Sequence, residues 1–496
     1  MRNKLRVLII LIIISMFTSA CGQAGDSPCT ELTLYAVLDV ANRRREVIHV
    51  PDMERINAFI ENRGNPYDIN WAIHLNSVRS FLITAEEAVY DTVALFDLLR
   101  IMYGAYTYFG GDEVFLPVLE EILETILRQD YWVPVLLANL LYDHLVTVIN
   151  DNHFIFDNRP VALQFNHFVW DVPFDKTENG FRRQDNGLYI VEIQNHDMND
   201  VFRLSVNDSG QFFYSVVIFR PNDEINYTLN IVYENGYEET VFLWHSLTTP
   251  AHGFGEPPSL SFKNGIPVVT IRTVLGAFYP ELPGYEDAQL LMSFVDTLMY
   301  EPVIIIDIRS LPGGFGYLPR TWLQNLFGEP VPSTYLQLSA LLKITPPTDI
   351  YIPAAWRQVF ELVEYLELTG ELTEPCERFF ATLSDYHLLL GAGGMVSNER
   401  LIILLVDRFT RSAAEIFTDL MLNIENTLVI GQNTAGMLIT AGGFAPLHLP
   451  NSGISFLFSA ELYIWPEGTW KDGMGITPDV WVIGDALSAA LALLER

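Results

Sequence analysis

The segment RFTRSAAEIFTDL at 408–420 places a serine where the hydrophobic pattern of the chain changes. It follows the wholly apolar run LIILLV at 401–406, which is typical of a central parallel strand, and from Ala413 onward apolar residues recur at helical spacing. Ser412 is therefore predicted at a strand-to-helix corner. Two roles fit it there: an N-cap, the commoner role of such a serine, or a nucleophile whose oxyanion would be bound by the Ala413 N–H.

A second segment, VIIIDIRSLPGGFG at 303–316, has the pattern of an anion-binding turn. A fully apolar strand ends near Asp307, and Pro312, Gly313 and Gly314 then turn the chain without side chains that would keep a ligand from the backbone. Gly313 and Gly314 are thus candidate donors to an oxyanion. A turn that merely ends the strand explains the same residues.

The elements that would position these residues form an α/β pattern from about 260 onward. The predicted strands are PVVTIRTV, PVIIIDIRS, LIILLV and TLVIG, with helical segments near 285–299 and after Ser412 and a helical insertion near 335–390. Strands that alternate with helices predict a mainly parallel sheet covered on both faces.

Two other regions precede this part. Between 85 and 150 the chain has three long helical stretches, whereas from 160 to 250 short alternating segments such as FRLSVN and FFYSVVIF predict a β-rich module. Residues 22–80 give no clear pattern and are interpreted as a tether and an N-terminal segment.

Four motifs together resemble one enzyme family. DIRSLPGG (307–314), VDRFTRSAAEIF (406–417), TLVIGQNTAG (427–436) and GMGITPDVWV (473–482) are similar, in order and spacing, to the C-terminal processing (tail-specific) protease and tricorn family of serine peptidases. The resemblance implies an α/β fold with a crotonase-like (ClpP/crotonase-type) catalytic core at 256–496. It also implies a helical subdomain at 81–158 and a degenerate PDZ-like module at 159–255. In that family Ser412 would be the nucleophile, and Ala413 would supply one oxyanion N–H.

The general base departs from the family pattern. The processing proteases have a lysine after the Thr-x-Gly step, but here Met437 follows Thr434-Ala435-Gly436, and a thioether cannot accept the serine proton. In the tricorn-like branch a histidine has that role. His153, in VINDNHFIFD, stands in the matching place and is the candidate base.

The resemblance also implies a carboxylate that orients the imidazole. Asp472, in TWKDGMGITPD, precedes the last motif and is the candidate for this role, although a turn residue would explain it as well. Glu467 and Glu415 are alternatives for the carboxylate, and Lys471 is a distant alternative for the base.

The N-terminus predicts export. Basic residues precede the apolar run VLIILIIISMF at 7–17, and Ser19 and Ala20 lead to Cys21, so that residues 1–21 have the order of a secretory signal. The end of the segment resembles a bacterial lipobox, with Thr18 where an aliphatic residue is usual. We expect a lipoprotein lipidated at Cys21 that faces the extracytoplasmic side of the cell membrane; a plain signal peptide or an anchor are the alternatives.

Composition limits the partners. The chain has 496 residues and a formal net charge of −32, which disfavours binding to nucleic acid. Cys29 and Cys376 form no disulfide framework, and no metal-binding motif is present, so no metal or cofactor is expected.

Three functions are compatible with these patterns. The first is an exported, lipid-anchored serine endopeptidase that forms an acyl-enzyme and acts on protein or peptide substrates. The main alternative is a catalytically inactive pseudopeptidase that binds peptides or hydrophobic ligands, since the family lysine is missing. The other alternative is a surface lipoprotein with a scaffolding role.

Overall fold

The computed structural model describes residues 32–45, 79–221, 224–245, 255–273, 276, 284–339, 395–441, 446–459, 461–465 and 473–496. The predicted signal segment with Cys21 lies outside these residues. So do Asp472 and its alternatives Glu467 and Lys471, and most of the predicted helical insertion.

The described chain begins with a helix, α1 (Leu34–Arg45), that the sequence analysis did not predict. Val37, Leu38 and Ala41 are its buried residues, and they belong to the same apolar cluster as Ile430 of the α/β region. Their spacing corresponds to one face of a helix, so the signal was present in the sequence.

The predicted helical stretches between 85 and 150 are confirmed. The elements of this region are β1 (Ile83–Thr84), α2 (Ala85–Met102), α3 (Asp112–Ile126), β2 (Tyr131–Trp132) and α4 (Pro134–Val148). A capping box begins α2: the Glu87 N–H donates to Thr84 Oγ1 at 3.2 Å, and the Thr84 N–H donates to Glu87 Oε2 at 2.8 Å.

The next region is rich in strands, as predicted. Its elements are β3 (Asp151–Phe156), β4 (Arg159–Val161), β5 (Phe165–Thr177), β6 (Gly180–Arg183), β7 (Ile190–Ile193), α5 (Met198–Val201), β8 (Phe202–Val206), β9 (Phe212–Pro221), β10 (Asn226–Tyr233) and β11 (Glu238–Trp244).

Together with elements that were not predicted, the remaining elements include the four predicted strands and the predicted helices near 285–299 and after Ser412. They are β12 (Ser259–Lys263), β13 (Ile266–Thr270), α6 (Tyr285–Ser293), α7 (Val295–Leu298), β14 (Val303–Asp307), α8 (Tyr317–Phe327), β15 (Leu336–Ser339), β16 (Leu401–Val406), α9 (Ala413–Leu422), β17 (Thr427–Gly431), β18 (Leu447–His448), β19 (Ser455–Leu457), β20 (Glu461–Ile464), β21 (Val480–Val482) and α10 (Ala486–Glu495). The elements that were not predicted include α8, β12, β18, β19 and β20. At the start of the segment predicted as a helical insertion the structure has a strand instead, β15, which pairs antiparallel with β20.

The largest sheet has ten strands in the order β12-β13-β14-β16-β17-β21-β8-β9-β5-β6. Neighbouring strands run parallel from β13 through to β8, which confirms an α/β fold. The β-rich region is divided: β5, β6, β8 and β9 belong to this sheet, while β7, β10 and β11 form a three-stranded sheet.

Both faces of the parallel strands are covered. Along β16, Ile402 and Leu404 share an apolar cluster with α8 and α9, while Ile403 and Leu405 share another with α1 and α10. This burial on both faces explains the uninterrupted apolar sequence of LIILLV. Within the described ranges, no helix combines the length and hydrophobicity needed to cross a bilayer.

Candidate active site

Ser412 lies at the corner between β16 and α9. Its backbone has φ 57° and ψ −123°, which is unusual for a residue with a side chain. Such a conformation persists only where surrounding contacts maintain it, and it is common at functional sites. The corner predicted from the sequence is present.

The Ser412 hydroxyl contacts an imidazole that is distant in sequence. His153 Nε2 lies 2.9 Å from Ser412 Oγ, within hydrogen-bond distance. The backbone N–H of Glu415 donates to the Ser412 carbonyl oxygen at 2.7 Å. The serine is therefore both the first residue before the helix and the hydrogen-bond partner of the candidate base.

His153 is held on β3 in a buried position. Burial lowers the pKa of its imidazole to about 4; the nearby Thr440 carbonyl opposes this change, and the positive charge of Arg411 adds to it. The imidazole is therefore neutral at neutral pH, as a general base must be. Its Nδ1 atom has no hydrogen bond of acceptable geometry to any described residue.

Asp151, two residues before the histidine, fixes this part of β3. Its carboxylate accepts the His153 backbone N–H at 2.9 Å and the hydroxyl groups of Tyr103 and Thr440, each at 2.8 Å. Burial raises the pKa of Asp151, although these hydrogen bonds act in the opposite direction. The helical region and the C-terminal part of the chain are thus joined directly behind the imidazole.

The Gly-Gly turn approaches the serine closely. Gly313 has φ +98°, and a Cβ atom built on it would lie 2.8 Å from Ser412 Cβ and 2.8 Å from the Arg411 carbonyl oxygen. Ala413 is the first residue of α9, where the backbone N–H has no acceptor within the helix. Gly314, the second glycine of this turn, has φ +125° and is exposed.

Hydrogen bonds hold the turn against the serine corner. Asp407 accepts the Ser310 N–H at 2.8 Å and the Ser310 hydroxyl at 2.9 Å, and the Arg411 N–H donates to the Leu311 carbonyl oxygen at 3.1 Å. The ends of two neighbouring parallel strands are therefore linked, which fixes the donors of the turn relative to Ser412.

Glu415, an alternative for the orienting carboxylate, has a different set of partners. It accepts hydrogen bonds from the N–H groups of Ser412, Gly436 and Met437 and from the Thr434 hydroxyl, at 2.6–3.0 Å. Burial raises its pKa, and these hydrogen bonds oppose the change. Its role in the structure is to join the nucleophile corner to the loop at 434–437.

The structure thus brings together Ser412, His153, Gly313 and Ala413. Met437, in the place of the family lysine, is half-buried, and its backbone N–H donates to Glu415 Oε2 at 2.8 Å. Asp472 lies outside the described residues, so the structure gives no position for its carboxylate.

A serine hydroxyl on a strained corner, bonded to a neutral imidazole and close to a Gly-Gly turn, is the arrangement of a serine-type hydrolase. Residues 370–482, which include Ser412, match the family model of Peptidase family S41. This match agrees with the resemblance seen in the motifs: over this region, which includes the nucleophile corner, the chain is similar to the serine-type peptidases of family S41.

Three solved structures are similar to the chain at low identity. Mature CPAF is 14% identical, with 82% of this chain and 96% of that chain covered and a TM-score of 0.38. The photosystem II D1 C-terminal processing protease is 13% identical, with coverages of 80% and 93% and a TM-score of 0.34. The tricorn protease is 10% identical, with coverages of 83% and 37% and a TM-score of 0.33. A search of curated proteins found no significant match.

Proposed function

We propose that the protein is a serine endopeptidase in which Ser412 is the nucleophile and His153 is the general base. The observation that supports this most strongly is the 2.9 Å separation between His153 Nε2 and Ser412 Oγ at a strained helix start. Formation of the fold does not require a hydrogen bond between the side chains of these two residues, which are distant in sequence, whereas catalysis does.

In the proposed reaction, Ser412 Oγ attacks the scissile carbonyl carbon while His153 Nε2 takes the hydroxyl proton. The oxyanion accepts hydrogen bonds from the Ala413 N–H and from the Gly313 or Gly314 N–H. His153 then gives its proton to the leaving amine, and an acyl-enzyme remains. A water molecule that gives a proton to His153 then attacks the acyl carbon, the bond between that carbon and Ser412 Oγ breaks, and His153 returns the proton to Oγ, so that the acid is released and Ser412 is restored.

Asp472 is the proposed orienting group for the imidazole. The buried Nδ1 atom of His153 lacks a hydrogen bond of acceptable geometry to a described residue, so an acceptor at this position would complete the arrangement. A carboxylate there would fix the tautomer and stabilise the imidazolium that forms during the reaction.

We also propose that the catalytic part, at 256–496, is crotonase-like and that 159–255 contains a degenerate PDZ-like module after a helical subdomain at 81–158. The motifs and the alternation of parallel strands with helices support the first part. The separate three-stranded sheet of β7, β10 and β11 supports the second. Comparing the binding of one peptide with a free and with an amidated C-terminus would test the PDZ-like proposal.

The proposed location is the extracytoplasmic side of the cell membrane, with diacylglyceryl on Cys21 as the anchor. The order of basic residues, apolar run and Ser-Ala-Cys supports this proposal. Mass spectrometry of the N-terminal peptide from membranes tests it. An unmodified Cys21, or cleavage at another residue, would contradict it.

The second candidate function is a pseudopeptidase, and the substitution of Met437 for the family lysine favours it. Hydrolysis of a library of unstructured peptides by the purified chain and by Ser412→Ala separates the two functions. The proposed endopeptidase gives cleavage that Ser412→Ala abolishes. Peptide binding without cleavage by the folded wild-type chain would favour the pseudopeptidase.

A further inference from the structure

A cavity of about 300 Å³ lies between α1 and the β-rich strands, and no residue of the Ser412 site lines it. Val37 and Ala41 of α1 contribute to one wall, and Phe181, Phe202 and Trp481 contribute to another. Its volume is at the lower end of the range of small-molecule sites, roughly 300–1,000 Å³. It could therefore hold a small ligand of about one ring and a polar group.

The aromatic wall is rigid and flat. The rings of Phe181 and Phe202 are stacked with centroids 3.7 Å apart and an interplanar angle of 7°, and the Tyr214 ring packs edge-on against Phe181 at 5.4 Å. Phe202 and Trp481 are buried in the folded chain. Phe181 is buried as well, while Tyr214 is half-buried, so a ligand with a flat apolar body would bury further surface mainly on the Tyr214 ring.

Three basic side chains also line the cavity, although the chain has a net charge of −32. Arg44, Lys176 and Arg203 form no ion pair with the described residues. The one acidic residue of the lining, Asp479, already pairs with Arg45 and accepts the Val429 N–H at 2.8 Å. The lining therefore has three basic side chains and one acidic side chain, an excess of positive charge.

Arg203 is the most buried of the three. Its Nε atom is buried and has no hydrogen-bond partner, and its Nη1 atom makes only long contacts of 3.5 and 3.4 Å, to the carbonyl oxygens of Asn199 and Phe202. Lys176 Nζ lies 5.6 Å from the centroid of Phe181, so its charge is next to the aromatic wall. Burial lowers the pKa of Arg203, and the charge of Asp200 opposes this change. A bound anion in hydrogen-bond contact with the guanidinium would compensate further for its burial.

We propose that this cavity binds a small organic anion with a carboxylate or phosphate head and a flat apolar body. The head pairs with Arg203 and Lys176, with Arg44 at the entrance, and the body stacks against Phe181 and Tyr214. This site is independent of the proposed peptidase activity, because it shares no residue with the Ser412 site.

Calorimetric titration of the purified full chain with phenyl phosphate tests the proposal. We expect one site, at least tenfold weaker binding in Arg203→Met and in Lys176→Met, and unchanged binding in Arg128→Met, which removes an exposed arginine after α3. Benzyl alcohol, which lacks the charge, and inorganic phosphate, which lacks the ring, should each bind at least tenfold more weakly than phenyl phosphate.

Using two variants protects the test against a folding defect, because Lys176 is exposed and its replacement should leave thermal unfolding unchanged. No binding of phenyl phosphate to the wild-type chain would overturn the proposal. Equal binding by the wild-type, Arg203→Met and Lys176→Met chains would also overturn it, as would equal affinity for inorganic phosphate and phenyl phosphate.

Discussion

His153 Nε2 lies 2.9 Å from Ser412 Oγ, although 259 positions separate the two residues in the sequence. The histidine is on β3, which pairs with β4 and β19, and the serine follows the central strand β16. Two different sheets therefore supply the two groups. A change that shifts one of these sheets relative to the other should therefore lower the catalytic rate even where both sheets remain folded.

The first prediction concerns the pH dependence of activity. Burial lowers the pKa of His153 to about 4, so kcat/KM should rise as pH increases through about 4 and be level near neutrality. An unperturbed histidine would instead give a midpoint near about 6.5. Peptide hydrolysis between pH 3.5 and 8, with circular dichroism to confirm folding, measures this. A midpoint at or above 6.5 would show that His153 is not buried as described or is not the base.

The second prediction concerns the Gly-Gly turn. Gly313→Ala places a methyl group 2.8 Å from Ser412 Cβ and the Arg411 carbonyl oxygen, so it should lower kcat by about a hundredfold or more by displacing an oxyanion donor. Gly328→Ala is the matched control, because Gly328 has φ +79° and no atom near its added Cβ. Equal loss of activity in both variants would attribute the effect to backbone strain and not to the oxyanion site.

The third prediction concerns Glu415. Glu415→Gln puts an amide NH2 group among donors that need acceptors, so at least one of the N–H groups of Ser412, Gly436 and Met437 loses its partner. We expect destabilisation of about 1–3 kcal/mol and a lower kcat at unchanged KM. Denaturant unfolding and steady-state kinetics measure both effects. The exposed Glu120→Gln is the control, and Glu415→Gln with wild-type kcat would contradict a positioning role.

The fourth prediction concerns the stability of α9. Asp419 accepts hydrogen bonds from the Thr334 N–H and hydroxyl, and burial, opposed by these bonds and by Arg320, raises the pKa of Asp419 to about 6. A folded-state pKa above the unfolded value of about 3.9 means that its contribution is complete below about pH 3.9 and is lost as pH rises through about 6.

The free energy of unfolding that is lost amounts to about 3 kcal/mol, because the two pKa values differ by about 2 units and each unit corresponds to about 1.36 kcal/mol. Asp419→Asn should therefore gain stability relative to wild type between pH 4 and pH 7, as measured by urea unfolding. Replacing the exposed Asp143 by Asn is the control. A difference between Asp419→Asn and wild type that is independent of pH would refute this account of Asp419.

The central strands and the nucleophile corner were predictable because their sequence signals are local. LIILLV is apolar on both faces because helices cover both faces of β16, and the Ser-x-x-Glu spacing of Ser412 and Glu415 indicates a capped helix start. The Ser-x-x-Glu spacing could also have indicated that the Glu415 carboxylate accepts the Ser412 N–H and so stabilises the corner. The helical pattern of α1 was likewise visible at Val37, Leu38 and Ala41.

Other parts depend on contacts between distant segments, and no local pattern contains them. The parallel pairing of β21 with β8, through Trp481 and Ser205, joins the β-rich region to the catalytic sheet. The bonds of Asp151 to Tyr103 and Thr440 likewise connect three separate segments. The lowered pKa of His153 follows from its burial among such distant segments, which no local pattern of the sequence predicts.

The measurement that tests the central claim most directly is the rate at which a fluorophosphonate modifies the chain, with the labelled residue identified by peptide mapping. Ser412 should be labelled in the wild-type chain. His153→Gln should react at least a hundredfold more slowly because no base takes the hydroxyl proton, whereas His144→Gln, a change on α4, should react at the wild-type rate. If Ser412 in the folded wild-type chain is not labelled, or if His153→Gln reacts as fast as wild type, the proposed Ser412–His153 pair is wrong.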